Sequence, residues 1–394
     1  MRSLALFLLL AATTASAFEL KRVTVAQLEQ EVSALQGKPD AKAAGQLTDL
    51  QLTERLSDAK FAQLQTVIPG TNARQALLIL ADTSAFLHLP PAEVPQTPAP
   101  DLPTQQRILT QTIHYVARTV RQLPNFSASR VTTRFEDMPQ GGIQGATAHI
   151  SYSYQPFHLA GTLNSPVVFR DGQEVVDAAA KSKKNEPAMS GLTTNGEFGP
   201  ILFTVLLDIA HNTIKWDHWE QRLDKTLAVF AFSVPREQSH YQVGACCLPN
   251  GPSHASQQFS GYHGQIAVDP SDGTVFRIVV QADLKPTDPI SRADIAVEYG
   301  PVEIGGRPYV CPARSVAIMV DNTVPTPPAQ TLRSPRIQPT VTAELRTQTQ
   351  VDDVAFTQYH LFRAESRMIV EGTSNPQGAP SSSGPAANPV EKPQ

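Results

Sequence analysis

Residues 196–210 read GEFGPILFTVLLDIA. Pro200 suits the first turn of a helix, where its missing N–H costs nothing, and Glu197 places an anion at the positive end of the axis. The ten residues that follow, Ile201 to Ala210, carry only Thr204 and Asp208 as polar side chains. A helix apolar on nearly every side is enclosed by protein or spans a membrane. Ten residues give about half of the ~20 needed to cross hydrocarbon. The reading is therefore a helix enclosed by protein, and the flanking sequence says by what.

From Pro124 onward the sequence alternates with a period of two. Phe126, Ala128, Arg130, Thr132 and Arg134 interleave with Ser127, Ser129, Val131, Thr133 and Phe135, a β-branched and aromatic pattern that predicts a strand. Further strands are expected at 147–158, 165–176, 226–234, 240–247, 261–269, 274–284, 292–304, 307–320, 338–350 and 353–370. Turn signals separate them, among them Arg170-Asp171-Gly172, Ser271-Asp272-Gly273 and Gly305-Gly306. Strands that succeed one another without intervening helices make an antiparallel meander, not a doubly wound parallel sheet. A strongly curved antiparallel sheet would enclose the apolar helix. The expected fold class is α+β: a small N-terminal helical region, then a large antiparallel β half-barrel over 124–371 wrapped around that helix.

Residues 18–123 form the helical region. Thr24 caps a helix with apolar positions Val25, Leu28, Val32 and Leu35, which Gly37 and Pro39 stop. A second is expected from Thr48 or Asp49 to Pro69-Gly70, a third from Ala73 to Leu87 and a fourth from Thr104 to Leu123. Between the last two, residues 90–103 hold six Pro in fourteen and read as an extended loop. The segment 372–394, rich in Ser, Pro, Gly, Asn and Ala, has little to bury and reads as a disordered tail.

The N-terminus reads MRSLALFLLLAATTASA. Arg2 supplies the positive charge, Leu4–Ala12 a nine-residue apolar run and Ala15-Ser16-Ala17 a cleavage site. Residues 1–17 are thus expected to be a signal peptide cut after Ala17, giving an exported protein, periplasmic or secreted. Beyond it no run approaches the ~18 apolar residues of a membrane span, so no transmembrane segment is expected in the mature chain. With 32 Lys+Arg against 36 Asp+Glu the chain lacks the basic excess that nucleic-acid binding requires. Charged residues make up 17% of its 394 residues, with 33 Pro against 22 Gly, which suits an exported, strand-rich protein. In an oxidising compartment Cys311 could bridge to Cys246 or Cys247, with Cys247–Cys311 as the candidate disulfide; all three could equally be small buried hydrophobes.

Catalytic signatures are missing. The chain has no H-E-x-x-H, no G-x-S-x-G and no phosphate-binding G-x-x-x-x-G-K-S/T. His211 and His218, with Asp208, Asp217 and Glu220 close by in sequence, could form a metal or acid–base cluster, but they lack a convergent ligand spacing. Trp216 and Trp219 read as a packing element. No catalytic residue, metal ligand or cofactor is expected, and no ligand-binding residue can be named.

Several stretches carry a family resemblance. They are Leu123-Pro124-Asn125-Phe126, the run from Gly191 to Pro200 (GLTTNGEFGP), Trp216-Asp217-His218-Trp219-Glu220, Gly261 to Ile278, Val297 to Arg307, and Phe356 to Arg363. Over roughly residues 120–371 the chain resembles uncharacterised exported bacterial proteins whose β part is similar to the lipoprotein-carrier fold of the LolA and LolB type. That fold is an incomplete antiparallel barrel closed by helices. The resemblance implies a non-enzymatic carrier of an apolar ligand or lipoprotein; a half-open barrel with an apolar concave face can shelter an acyl chain at ~0.8 kcal/mol per buried CH₂. Two alternatives stay open. One is a structural or protein-interaction module of the cell envelope with a filled core, and the other is a hydrolase without a recognisable motif.

Overall fold

The computed structural model describes residues 20–138, 141–145, 148–152, 154–175, 191–192, 194, 196–210, 212–222, 224–245, 256–325 and 345–361. The expected signal peptide, the Cys246-Cys247 pair, His211 and the 372–394 tail lie outside the described residues.

Thr24 caps α1 (Val25–Ser33) as its sequence predicts: its hydroxyl accepts from the Gln27 N–H at 3.2 Å, and the Gln27 side chain accepts from the Thr24 N–H at 2.9 Å. The second expected helix is different. Asp40 to Thr48 form α2, and Leu50–Leu52 (β2) pairs in parallel with Lys21–Val23 (β1). Only then does Ser57 cap α3 (Asp58–Val67). The apolar spacing through Leu52 and Leu56 is real, but tertiary pairing recruits Leu50 and Leu52 into an extended segment that buries both. Helices α4 (Gly70–Ser84) and α5 (Leu102–Gln122) follow, α5 capped by Asp101, whose carboxylate accepts from the Thr104 N–H at 3.0 Å. Helix α6 (Pro200–Ile209) stands where expected.

The remaining strands are β3 (Phe126–Met138), β4 (Gly141–Gly145), β5 (Ala148–Tyr152), β6 (Gln155–Arg170), β7 (Gln173–Val175), β8 (Thr213–Arg222), β9 (Lys225–Val234), β10 (Gln242–Ala245), β11 (Ser256–Phe259), β12 (Tyr262–Val268), β13 (Val275–Ala282), β14 (Ile290–Ile304), β15 (Arg307–Pro325) and β16 (Leu345–Leu361). Ten form one open antiparallel sheet in the order β7-β6-β3-β16-β15-β14-β13-β12-β9-β8. Asp171-Gly172 and Gly305-Gly306 take positive φ at both positions, as two-residue hairpin turns require. Some strands differ from expectation. The turn assigned between 158 and 165 is continuous strand β6, and β16 continues through the break placed at 350–353. The Trp216–Glu220 stretch, which falls in none of the expected strands, is itself in β8. The fold is α+β with a large antiparallel sheet.

Side-chain alternation splits the helices between the two faces of the sheet. Ile278, Val280, Ile295, Val297 and Ala317 face α5 and α6, in a core with Ile108, Val116, Ile201, Leu202 and Val205. Their neighbours Val279, Ala296, Val316 and Ile318 face the other way, onto Ile79 and Phe86 at α4. Helices α1 to α4 have a core of their own, built on Leu28, Val32, Leu47, Leu64 and Leu77. The helical residues 18–123 thus serve both faces. Gly273 (φ 79°) fixes α5 to the β12–β13 turn: a Cβ there would come within 2.5 Å of the Gln111 carbonyl carbon.

One expectation fails on α6. Ile201, Leu202, Val205, Leu206 and Ile209 are buried, but Phe203 and Leu207 are 57% and 46% exposed. The helix lies on the sheet with one side covered, and its apolar outer side is open.

Candidate functional site

A cavity lies on the other face, between the sheet and the helices α3 and α4. It has a volume of about 660 Å³. Leu56, Phe61, Ala81, Ala85 and Leu89 line it from the helical layer, and Leu227, Ala296 and Val316 from the sheet. Among these apolar walls stand Arg55, Glu220, Arg222, Arg277, Glu298 and Arg314.

Strand pairing places the sheet's charges in one row. Arg277 pairs with Glu298, Glu298 with Arg314, and Glu220 with Leu227, so all four project to the cleft side with Val279, Ala296 and Val316. Glu220 accepts from Arg277 at 2.7 Å and meets Arg55 of the helical layer at 2.7 Å on its other oxygen. Arg222 donates to Glu298 at 2.7 Å, and Arg314 donates to Asp353 at 2.7 Å while also contacting the buried Asp82 of α4. Arg55–Glu220 and Arg314–Asp82 thus join helical layer to sheet. Burial pushes the Asp82 carboxyl up to about 8, with Arg314 pulling the other way.

His218 adds a fifth cation at one end of the row. Its Nδ1 lies 3.2 Å from Asp217, its Nε2 3.7 Å from Glu220. Burial works against its charge, but the hydrogen bond to Asp217 and the negative charges of both carboxylates outweigh it and raise the imidazole from 6.5 to about 9. Asp217 also accepts from Gln265 at 2.7 Å. Glu220 is driven the other way: burial favours its neutral form, yet His218 and Arg55 hold its carboxyl below the ordinary range.

The structure therefore divides the cluster weighed from sequence. Asp217 and His218 gather with Glu220, which lines the cleft, and Asp208 is on the opposite face. There Asp208, buried at the end of α6, accepts from the His240 N–H at 2.9 Å and the Tyr262 hydroxyl at 2.8 Å, and meets His240 Nδ1 at 2.5 Å. It fastens α6 to β12 and to the loop after β9. Among the described residues no group of three His, Cys, Asp or Glu is arranged to hold a metal ion. Trp216 and Trp219 pack edge to face at 4.7 Å against the core under α6, and the Trp219 indole donates to the Pro98 carbonyl at 3.0 Å, anchoring the Pro-rich loop. Cys311 is a buried thiol among Phe126, Phe169, Phe198 and Phe356, raised by burial to about 12; its candidate partner Cys247 is outside the described residues.

A small cavity lies beneath α5 and α6. The cavity bounded by Tyr115, Leu123, Phe198, Leu202 and Val310 has about 30 Å³, room for one or two waters. Sequence reasoning missed the cleft residues Arg55, Arg222, Arg277, Glu298 and Arg314. The signal that could have found them is a charge inside an apolar strand run, as in Thr274-Val275-Phe276-Arg277-Ile278-Val279-Val280. No described helix is long and apolar enough to cross a membrane. No protein-family model, curated protein or solved structure matches the chain.

Proposed function

We propose that the protein is an exported, non-enzymatic binding protein that holds an amphiphilic small molecule in the cleft between its helical layer and its sheet. The observation that carries this reading is the cleft itself. Its volume of about 660 Å³ lies within the ~300–1,000 Å³ of small-molecule sites, and its apolar walls are broken by a few convergent charges, the composition such sites favour. The N-terminal apolar run supports export. The likeness to lipoprotein carriers supports a lipid-type cargo. In this reading the ten-stranded sheet is the carriers' half-barrel, with α5 and α6 seated where the carriers hold cargo and the cargo moved to the other face.

Native mass spectrometry of the full chain with myristic acid tests it. The expected result is one saturable ligand per chain, lost when Ala81→Trp fills the cleft while the circular dichroism spectrum is kept. Absence of saturable binding, or unchanged binding in Ala81→Trp, would refute it. A partner-binding module is favoured instead by one observation, the exposed apolar pair Phe203 and Leu207 on α6.

A further inference from the structure

The charges around the cleft are unevenly distributed. At one corner three cations, Arg55, Arg277 and His218, share two carboxylates, Glu220 and Asp217. Both oxygens of Glu220 are already taken, one by Arg55 and one by Arg277. Two nitrogens at this corner have no hydrogen-bond partner, Arg277 Nε and His218 Nε2. Arg277 lines the cleft and its side chain is 9% exposed. A nearly enclosed guanidinium is costly unless its charge is matched. His218, raised to about 9, keeps its charge at neutral pH. Further along the cleft the balance reverses: two cations, Arg222 and Arg314, stand against the carboxylates Glu298, Asp58 and Asp353, with Asp82, raised to about 8, beside Arg314.

We propose that the cleft is polarised, seating an anionic head group, carboxylate or phosphate, against Arg55 and Arg277 beside His218, with the ligand's apolar body lying along Leu56 and Phe61. This rests on the reading of the cleft as an amphiphile site and adds to it the sign and place of the head group. Arg277 supplies a donor of the fork geometry that suits a carboxylate or phosphate oxygen, and the unmatched cation of the corner supplies the attraction. The carboxylate-rich end disfavours the reverse orientation.

The test is a competition series on one chain length: myristic acid, myristyl phosphate, myristyl alcohol and myristyl ammonium, titrated against the full chain. The acid and the phosphate are expected to bind at least about ten-fold tighter than the alcohol, a difference of ~1.4 kcal/mol, and the ammonium weakest. A phosphate binding well above the acid identifies a phosphorylated head as the better source. In Arg277→Gln the advantage of the anions is expected to vanish with the alcohol's affinity kept, while Arg222→Gln retains it. Equal binding of all four by the parent protein would overturn the inference and leave the amphiphile site standing, whatever the variants do. Anion preference surviving in folded Arg277→Gln would also overturn it, and failure of all four to bind would overturn both readings.

Discussion

At the scale of single residues the chemistry of this protein concentrates on Glu220 and its neighbours, and His218 makes it measurable. The imidazole is raised from 6.5 to about 9 in the folded chain. A proton held more tightly by the folded than by the unfolded state favours folding wherever it is bound. His218 therefore contributes its full stabilisation below pH 6.5 and loses it as pH rises through about 9. Urea midpoints measured across that interval are expected to fall with pH, and His218→Gln is expected to flatten the fall; an unchanged slope in the variant would count against the assignment. Sequence proximity did bring Asp217, His218 and Glu220 to notice, because they are consecutive or nearly so. It could not exclude Asp208, since only the sheet decides which face each residue joins. Nor could it supply Arg277, which lies 57 residues from Glu220 and reaches it across the sheet.

Elements were legible where their signals are local. The Thr24 cap, the Gly199-Pro200 start of α6, and the Asp171-Gly172 and Gly305-Gly306 turns depend on neighbours in sequence and stand as read. The extent of strands β6 and β16, and the conversion of Leu50–Leu52 from helix to strand, depend on partners far along the chain. Helix α6 shows the limit most clearly. Its hydropathy states that every side would leave water if offered cover, but not that cover exists, and the sheet offers it on one side. The two sides are therefore expected to respond unequally. Leu202→Ala, in the core with Phe230 and Ile278, should cost about 2–5 kcal/mol in urea unfolding, the range for removing a buried leucine side chain. Phe203→Ser, at an exposed position, should stay within ~0.5 kcal/mol. A large loss at Phe203 would mean that something covers that side after all.

On the scale of the molecule, three layers share two unlike interfaces. The α5–α6 side is a broad apolar core that includes Tyr262, Ile266 and Tyr299, with a cavity of about 30 Å³. The α1–α4 side meets the sheet through a smaller apolar patch at Ile79 and Phe86 and through ion pairs around a cavity of about 660 Å³. Close packing gives its full contact energy only where atoms touch. The helical layer, which keeps its own core, is thus held to the sheet less firmly than α6 is, and its opening should be the lowest sub-global transition of the fold. Glu220 is the residue on which this depends most. Its removal leaves Arg55 and Arg277, whose side chains are 8% and 9% exposed, with no carboxylate between them. Losing one partner of a buried ion pair costs roughly 3–5 kcal/mol. In Glu220→Ala, amide hydrogen exchange followed by mass spectrometry is expected to speed up across α1 to α4 by a larger factor than in β13, β14 and β15, whose central residues Ile278, Val297 and Ile318 are fully buried. A uniform acceleration over both regions would show a single cooperative unit and would remove the basis for a cleft that can open to admit a ligand.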